Sequence, residues 1–258
     1  MKSKYFVIGV VLACLIVGVL IWQFLFGAAG NFSDAAREKP INLLGTVYTG
    51  GWVVPVLVGL TLMVVTFIVE RLMSLSRAQG RGNLSAFLRK VHDNLEHDNV
   101  DAALDECARQ RGSAANILRA GLERWQQVRN DASLDKEKKL TEVKRAIDEA
   151  TGLETPLLEK NLVALSTVAS ISTMFGLLGT TIGMIRAFAA LGGGEGAVSA
   201  TQLSIGISEA LINTAFGLIA AILAIVAYNI FTNKVDNFVY MIEESTLSMM
   251  EILTVKVK

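Results

Sequence analysis

Two long apolar segments, each lined on one side by small residues and joined by a glycine-rich stretch, constrain this chain more than any other feature. The first covers 161–191 (NLVALSTVASISTMFGLLGTTIGMIRAFAAL) and the second 204–231 (SIGISEALINTAFGLIAAILAIVAYNIF), with GGGEGAVSATQL between them. A helix crosses the hydrocarbon core with roughly 20 apolar residues, so either segment is long enough. Each holds polar side chains within the span, which are costly in hydrocarbon unless they face protein or a water-filled path. A passage through a membrane, more than a plain anchor, is the leading expectation.

Two further apolar segments, at 5–26 and 52–69, bring the candidate spans to four, with the later pair read as 162–191 and 203–231. The chain is 52% hydrophobic with only 19% charged residues, the balance of a membrane protein. The first segment has two open readings. It follows MKSK and precedes GAAG, as a cleaved signal would, yet it is longer than the usual signal core of about 7–15 residues and serves equally as a retained span. Arg71 and Arg77 follow the second segment; Lys144, Arg145 and Lys160 precede the third; Lys234, Lys256 and Lys258 follow the fourth. The 192–202 hairpin has no Lys or Arg. The positive-inside rule therefore puts the hairpin outside and the long insert and tail in the cytoplasm.

The resulting organisation is an all-α integral membrane protein with long antiparallel helices extending into the cytoplasm. Residues 1–30 form a first span or signal and 31–51 an outer segment. A span follows at 52–72, then a cytoplasmic helical insert at 73–160. Spans at 161–191 and 203–233 flank the hairpin, and 234–258 is a cytoplasmic tail. In the insert we expect helices at 99–110, 114–127 and 134–150, the last capped by Ser133. That last helix is expected to run on through a kink at Pro156 into the third span. With few large apolar residues, the insert reads as helices packed on those extensions. Cys14 lies in an apolar span and Cys107 in the charged insert, so no disulfide between them is expected.

Helical spacing organises the polar positions. Thr173, Gly176, Thr180, Gly183 and Ala187 share one face of the third span, and Gly179 with Gly183 forms a small-xxx-small pair. Gly206, Ala210, Thr214, Gly217, Ala221 and Ala224 share a face of the fourth. Small residues let membrane helices approach closely, which accounts for Gly176, Gly179, Gly183 and Gly217. Thr180 and Thr214 fall at similar depth from the hairpin. They either line a polar path or bond their own helix carbonyls. Glu209 is the one acidic residue well inside the last two spans. It marks a functional site, or it pairs with Arg186, or it bonds Asn213 one turn on; Arg186 alternatively snorkels to the surface. Glu70 and Arg71 read as an interface pair. Glu209 lies about 140° from Thr214 on the helical wheel, and no Asp lies in any span. Protons crossing at the threonine level would need a titratable group from another chain.

Enzyme chemistry is not expected. His92 and His97 are five apart, without the same-face spacing of a helical metal pair, and GGGEG lacks the lysine of a phosphate loop. It reads as a flexible external turn. No cofactor or metal is called for. No basic face with interleaved aromatics suggests a nucleic-acid partner.

FGLLGTTIGMIRAF (175–188) and GISEALINTAFGLIAAILAIVAYN (206–229) resemble the second and third core spans of the MotA/TolQ/ExbB proton-channel family, closest to ExbB/TolQ. The resemblance implies an oligomeric ring of five copies around a dimer of a single-span ExbD/TolR-like partner. That partner's membrane carboxylate takes and releases protons opposite Thr180 and Thr214, and Glu209 lines the passage. Proton motive force then drives motion passed to a TonB/TolA-like periplasmic effector from the bacterial inner membrane, in contact with lipid. Three departures are evident. The proline often present in each of these spans is missing, Arg186 adds a positive charge, and the first apolar segment is extra. Four spans also fit a MotA-like stator for motility. A structural or signalling membrane scaffold, whose polar residues only fix helix packing, is the competing class.

Overall fold

The computed structural model describes residues 2–37, 39–193 and 197–256. The elements are helical: α1 (Lys2–Leu20), continued by a π-helical turn (Ile21–Phe26), then α2 (Leu43–Tyr48), α3 (Val53–Gln79), α4 (Leu84–Glu96), α5 (Val100–Gln110), α6 (Ser113–Val128), α7 (Lys136–Glu159), α8 (Leu162–Gly193) and α9 (Ala197–Lys256). Among the described residues no strand forms beyond one isolated bridge between Phe32 and Pro40. Among the described residues four helical stretches are long and apolar enough to cross a membrane, and they draw on α1, α3, α8 and α9. The fold is that of an all-α membrane protein. The expected turn at 192–196 includes 194–196, which lie outside the described residues. Residues 197–202, read as part of the hairpin, belong to α9.

The chain forms two compact units. The first comprises Met1–Val69 and Asn161–Asn229. Within it α1 lies close on α3, because a Cβ on Gly18 would stand 2.5 Å from the Pro55 carbonyl oxygen. Val47, Val54 and Val58 form a buried cluster against which Ile21, Trp22, Phe26, Leu62, Ile212 and Phe216 pack. Large apolar side chains such as Phe24, Leu177, Ile185, Leu211 and Ile222 stay exposed on the outer faces. That is how a surface meant for lipid or a neighbouring subunit looks.

The second unit comprises Glu70–Lys160 and Ile230–Lys258. Asn83, Asn99 and Asp135 cap α4, α5 and α7 by accepting from the amides of Ala86, Ala102 and Lys138. The expected cap, Ser133, is displaced from that role. It sits in a turn whose Asp131 carboxylate accepts from its amide and hydroxyl, and α7 starts two residues later than expected. The insert builds more core than its large apolar residues suggest, because small ones contribute: Ala103, Cys107, Ala114 and Ala115 are buried beside Phe87, Leu118, Leu122 and Trp125. The end of α9 closes this core, with Met249 and Ile147 both approaching Gly121. The helix expected to run unbroken through Pro156 instead ends at Glu159 and restarts at Leu162. Asn161 takes φ 64° at the break, a left-handed conformation that Asn tolerates better than most residues.

Burial pushes the Cys107 thiol up to about 12. At pH 8 its thiolate fraction is on the order of one part in ten thousand, and thiolate is the reactive form. Iodoacetamide at pH 8 is expected to leave Cys107 unmodified in the folded protein and to modify it after denaturation, as read by peptide mass. Equal modification before and after would contradict the buried core.

Candidate functional site

Glycine and alanine define the α8–α9 contact. A Cβ on Gly183 would meet the Ala210 amide nitrogen at 2.8 Å, one on Gly176 the Gly217 Cα at 3.2 Å, and one on Gly217 the Ser172 carbonyl at 2.7 Å. A Cβ on Gly179 would collide with the Asn213 side chain. Residue numbers rise on α9 as they fall on α8, so the two helices are antiparallel. Close backbone approach then brings short hydroxyl side chains from both helices within reach of each other.

Thr180 and Thr214 meet across this contact, hydroxyl to hydroxyl. Each also lies within hydrogen-bond distance of its own helix: Thr180 Oγ1 to the Gly176 carbonyl at 3.1 Å, and Thr214 Oγ1 to the Ala210 carbonyl at 3.3 Å. The two alternatives open from the sequence therefore compete for the same two protons. A hydroxyl has one proton to donate. Either Thr180 donates to Gly176 and Thr214 donates to Thr180, or Thr214 donates to Ala210 and Thr180 donates to Thr214. Rotating two C–O bonds interconverts these states and reverses the polarity of the pair. Thr173 lacks this arrangement and donates to the Ala169 carbonyl at 3.2 Å.

Glu209 is held apart from the threonine pair. Its side chain is 5% exposed, and Arg186 Nη1 donates to both carboxylate oxygens, at 2.7 and 3.0 Å. Arg186 itself is 53% exposed, so the pair joins a buried carboxylate to a guanidinium at the surface of the chain. Asn213 does not bond Glu209. Its Nδ2 donates to the Gly50 carbonyl at 2.9 Å, a contact spanning 163 residues of chain. Asn213 Oδ1 and the Ser172 hydroxyl are buried with no hydrogen-bond partner among the described residues.

Sequence reasoning missed the Gly50-Gly51 turn, although a double glycine directly before an apolar span was its available signal. Gly51, at φ 77°, presses on the Glu209 carboxylate with no room for a Cβ. A cavity of about 380 Å³ lies against this pair, walled by Trp22, Arg37, Tyr48 and Gln202. Among the described residues no cluster of three or more His, Cys, Asp or Glu is arranged to hold a metal.

Small residues thus bring two antiparallel helices of membrane-spanning length together, with hydroxyls in register and one buried carboxylate alongside. The model of the MotA/TolQ/ExbB proton channel family matches residues 109–244, more than half of the chain. The chain is 36% identical over 164 residues to the Tol-Pal system protein TolQ of Pseudomonas aeruginosa, covering 60% of this chain and 70% of that protein. It is 31% identical over 200 residues to an ExbB-like biopolymer transport protein of Synechocystis, covering 76% and 88%. A shorter match, 40% over 77 residues, joins it to the biopolymer transport protein ExbB of Salmonella typhimurium, covering 29% and 30%. The chain belongs to the MotA/TolQ/ExbB proton channel family, on its ExbB/TolQ side, and is an inner-membrane protein.

Proposed function

We propose that this chain is the channel subunit of an inner-membrane motor. With an ExbD/TolR-like single-span partner it converts the proton motive force into work on a TonB/TolA-like periplasmic effector. The contact between the Thr180 and Thr214 hydroxyls supports this reading most directly. A hydroxyl pair with two interchangeable polarities can accept a proton on one side and offer one on the other. It has no acid on its own face: Glu209 is held on Arg186 and lines the passage beside the pair. The acid facing the threonines then comes from the partner's span. Several copies of this chain, five by the family resemblance, enclose that partner. The insert and tail are cytoplasmic in this reading. One charge moved across 100 mV supplies about 2.3 kcal/mol, which bounds the work per proton.

The test is purification of the complex from its own membranes, followed by reconstitution in vesicles. The expected result is an assembly containing a small single-span, acid-bearing chain that passes protons, with flux strongly reduced by Glu209→Ala. An oligomer without such a chain, or flux untouched by Glu209→Ala, would overturn the reading and favour the scaffold.

A further inference from the structure

The outer segment before α3 is built as a unit in its own right. Asn31 Nδ2 donates to the Leu25 and Phe26 carbonyls at 2.8 and 2.9 Å, taking up orphan acceptors at the end of the first helix. Asn31 Oδ1 accepts from Asn42, which in turn caps α2. Tyr48, at the end of α2, is restrained from three sides. Trp22 stacks on it with centroids 4.6 Å apart, Phe32 meets it edge-on at 5.5 Å, and Arg37 lies over its ring and donates to its hydroxyl at 3.3 Å. The Tyr48 carbonyl accepts from both the Trp22 indole and the Gly51 amide, each at 3.3 Å.

That restraint ends on the candidate path. The Gly50 carbonyl is taken by Asn213, and Gly51 closes over the Glu209 carboxylate. All of these strap residues precede the 109–244 stretch matched by the family model. We propose that the 48–51 turn, pinned by Trp22 through Tyr48, is a latch: it positions the Glu209 carboxylate on Arg186. Tyr48 and Gly51 are thus positioning residues, and the extra first helix is the arm that sets them. Release of the turn would free Glu209 to leave Arg186. The inference rests on the reading of Glu209 as a pathway residue, and the family-matched residues alone would not have revealed it.

The experiment uses the reconstituted complex and the apolar reagent dicyclohexylcarbodiimide, which adds whole to a carboxyl in an apolar setting and leaves a stable mass label. Labelling of Glu209 is read by peptide mass, and proton flux is read in matched vesicles without the reagent. Wild type is expected to label slowly. Gly51→Ala, which forces a Cβ onto the carboxylate at a strained φ, is expected to raise labelling severalfold. Tyr48→Ala, which leaves Gly51 itself unchanged, guards against misfolding peculiar to the first variant and is expected to do the same. Tyr48→Phe keeps the stack and is expected to restore slow labelling. A rise in both labelling and flux supports the latch. Labelling at the wild-type rate in both Gly51→Ala and Tyr48→Ala overturns it, whatever the flux. Raised labelling with unchanged flux overturns its part in conduction. Failure of the pathway reading shows separately, as normal flux in Glu209→Ala.

Discussion

Thr214→Val is expected to lower proton flux by roughly tenfold to a hundredfold while the assembly survives. Valine keeps the branched shape and removes the hydroxyl alone. In the folded chain the loss is mild, because Thr180 still has the Gly176 carbonyl to donate to at 3.1 Å. A net hydrogen bond is worth about 1 kcal/mol of stability. In conduction the loss is larger. A proton arriving at a desolvated level must find an acceptor there, and an unmet polar group costs about 1–3 kcal/mol, or roughly ten to a hundredfold in rate. Thr180→Val is expected to act in the same direction, and the double variant little further, because either single change already ends the polarity reversal of the pair. Thr214→Ser, which restores the hydroxyl, is expected to recover most of the flux. The measurement is dye-reported flux in vesicles beside native mass of the complex. Normal flux in Thr214→Val would remove the hydroxyl pair from the path. Loss of assembly with unchanged flux per intact complex would instead support a packing role.

The parts of this site that could be read from sequence are those governed by local periodicity. Spacing by three and four placed Gly176, Gly183, Gly217 and Thr180 on usable faces, and equal counting from the hairpin put Thr180 level with Thr214. Their contact in the structure follows from that geometry. The acid was legible as an anomaly, since a lone Glu in a span demands a partner. Its partner was open because Asn213 lies one turn on along the same helix and Arg186 stands on the neighbouring span. What decided between them was the 48–51 turn, which withdraws Asn213 to Gly50. No pattern within α9 encodes a contact with a residue 163 positions away. The break at Asn161 was hidden for a related reason. Pro156 is the stronger local signal, but the helix runs past it to Glu159 and turns where an Asn takes a left-handed φ. The core of the insert was underestimated because buried alanines count little on a hydropathy scale yet fill space in packed helices.

Arg71 is where sequence and structure diverge most, and it leads to the second large effect. As a charged pair at the end of an apolar segment, Glu70-Arg71 reads as an interface feature. In the fold Arg71 is fully buried. Its Nε and Nη2 form a two-point pair with Glu70, at 2.8 and 2.7 Å, and Nη1 donates to the Leu158 carbonyl at 3.1 Å. Leu158 lies in the last turn of α7, where carbonyls have no helical donor left to them. One guanidinium thus neutralises a neighbour and ends a helix that starts 65 residues later in the chain (136 − 71). Arg71→Ala is expected to destabilise the fold by about 3 kcal/mol, the lower end for breaking a buried pair, because Glu70 is 21% exposed and partly rehydrates. Arg71→Lys is expected to recover little of this, since a point charge cannot hold the two-point geometry and reach the carbonyl at once. Glu70→Gln, which keeps an acceptor and lets the guanidinium hold Leu158, is expected to cost less than Arg71→Ala. The readout is the rate of proteolysis near residues 156–161 in the purified complex, which follows local opening of the helix end. Fast cleavage in Arg71→Ala and Arg71→Lys but not in Glu70→Gln would assign the effect to the lost Leu158 contact. Equal cleavage in all three would assign it to the ion pair and leave the helix end to hold itself.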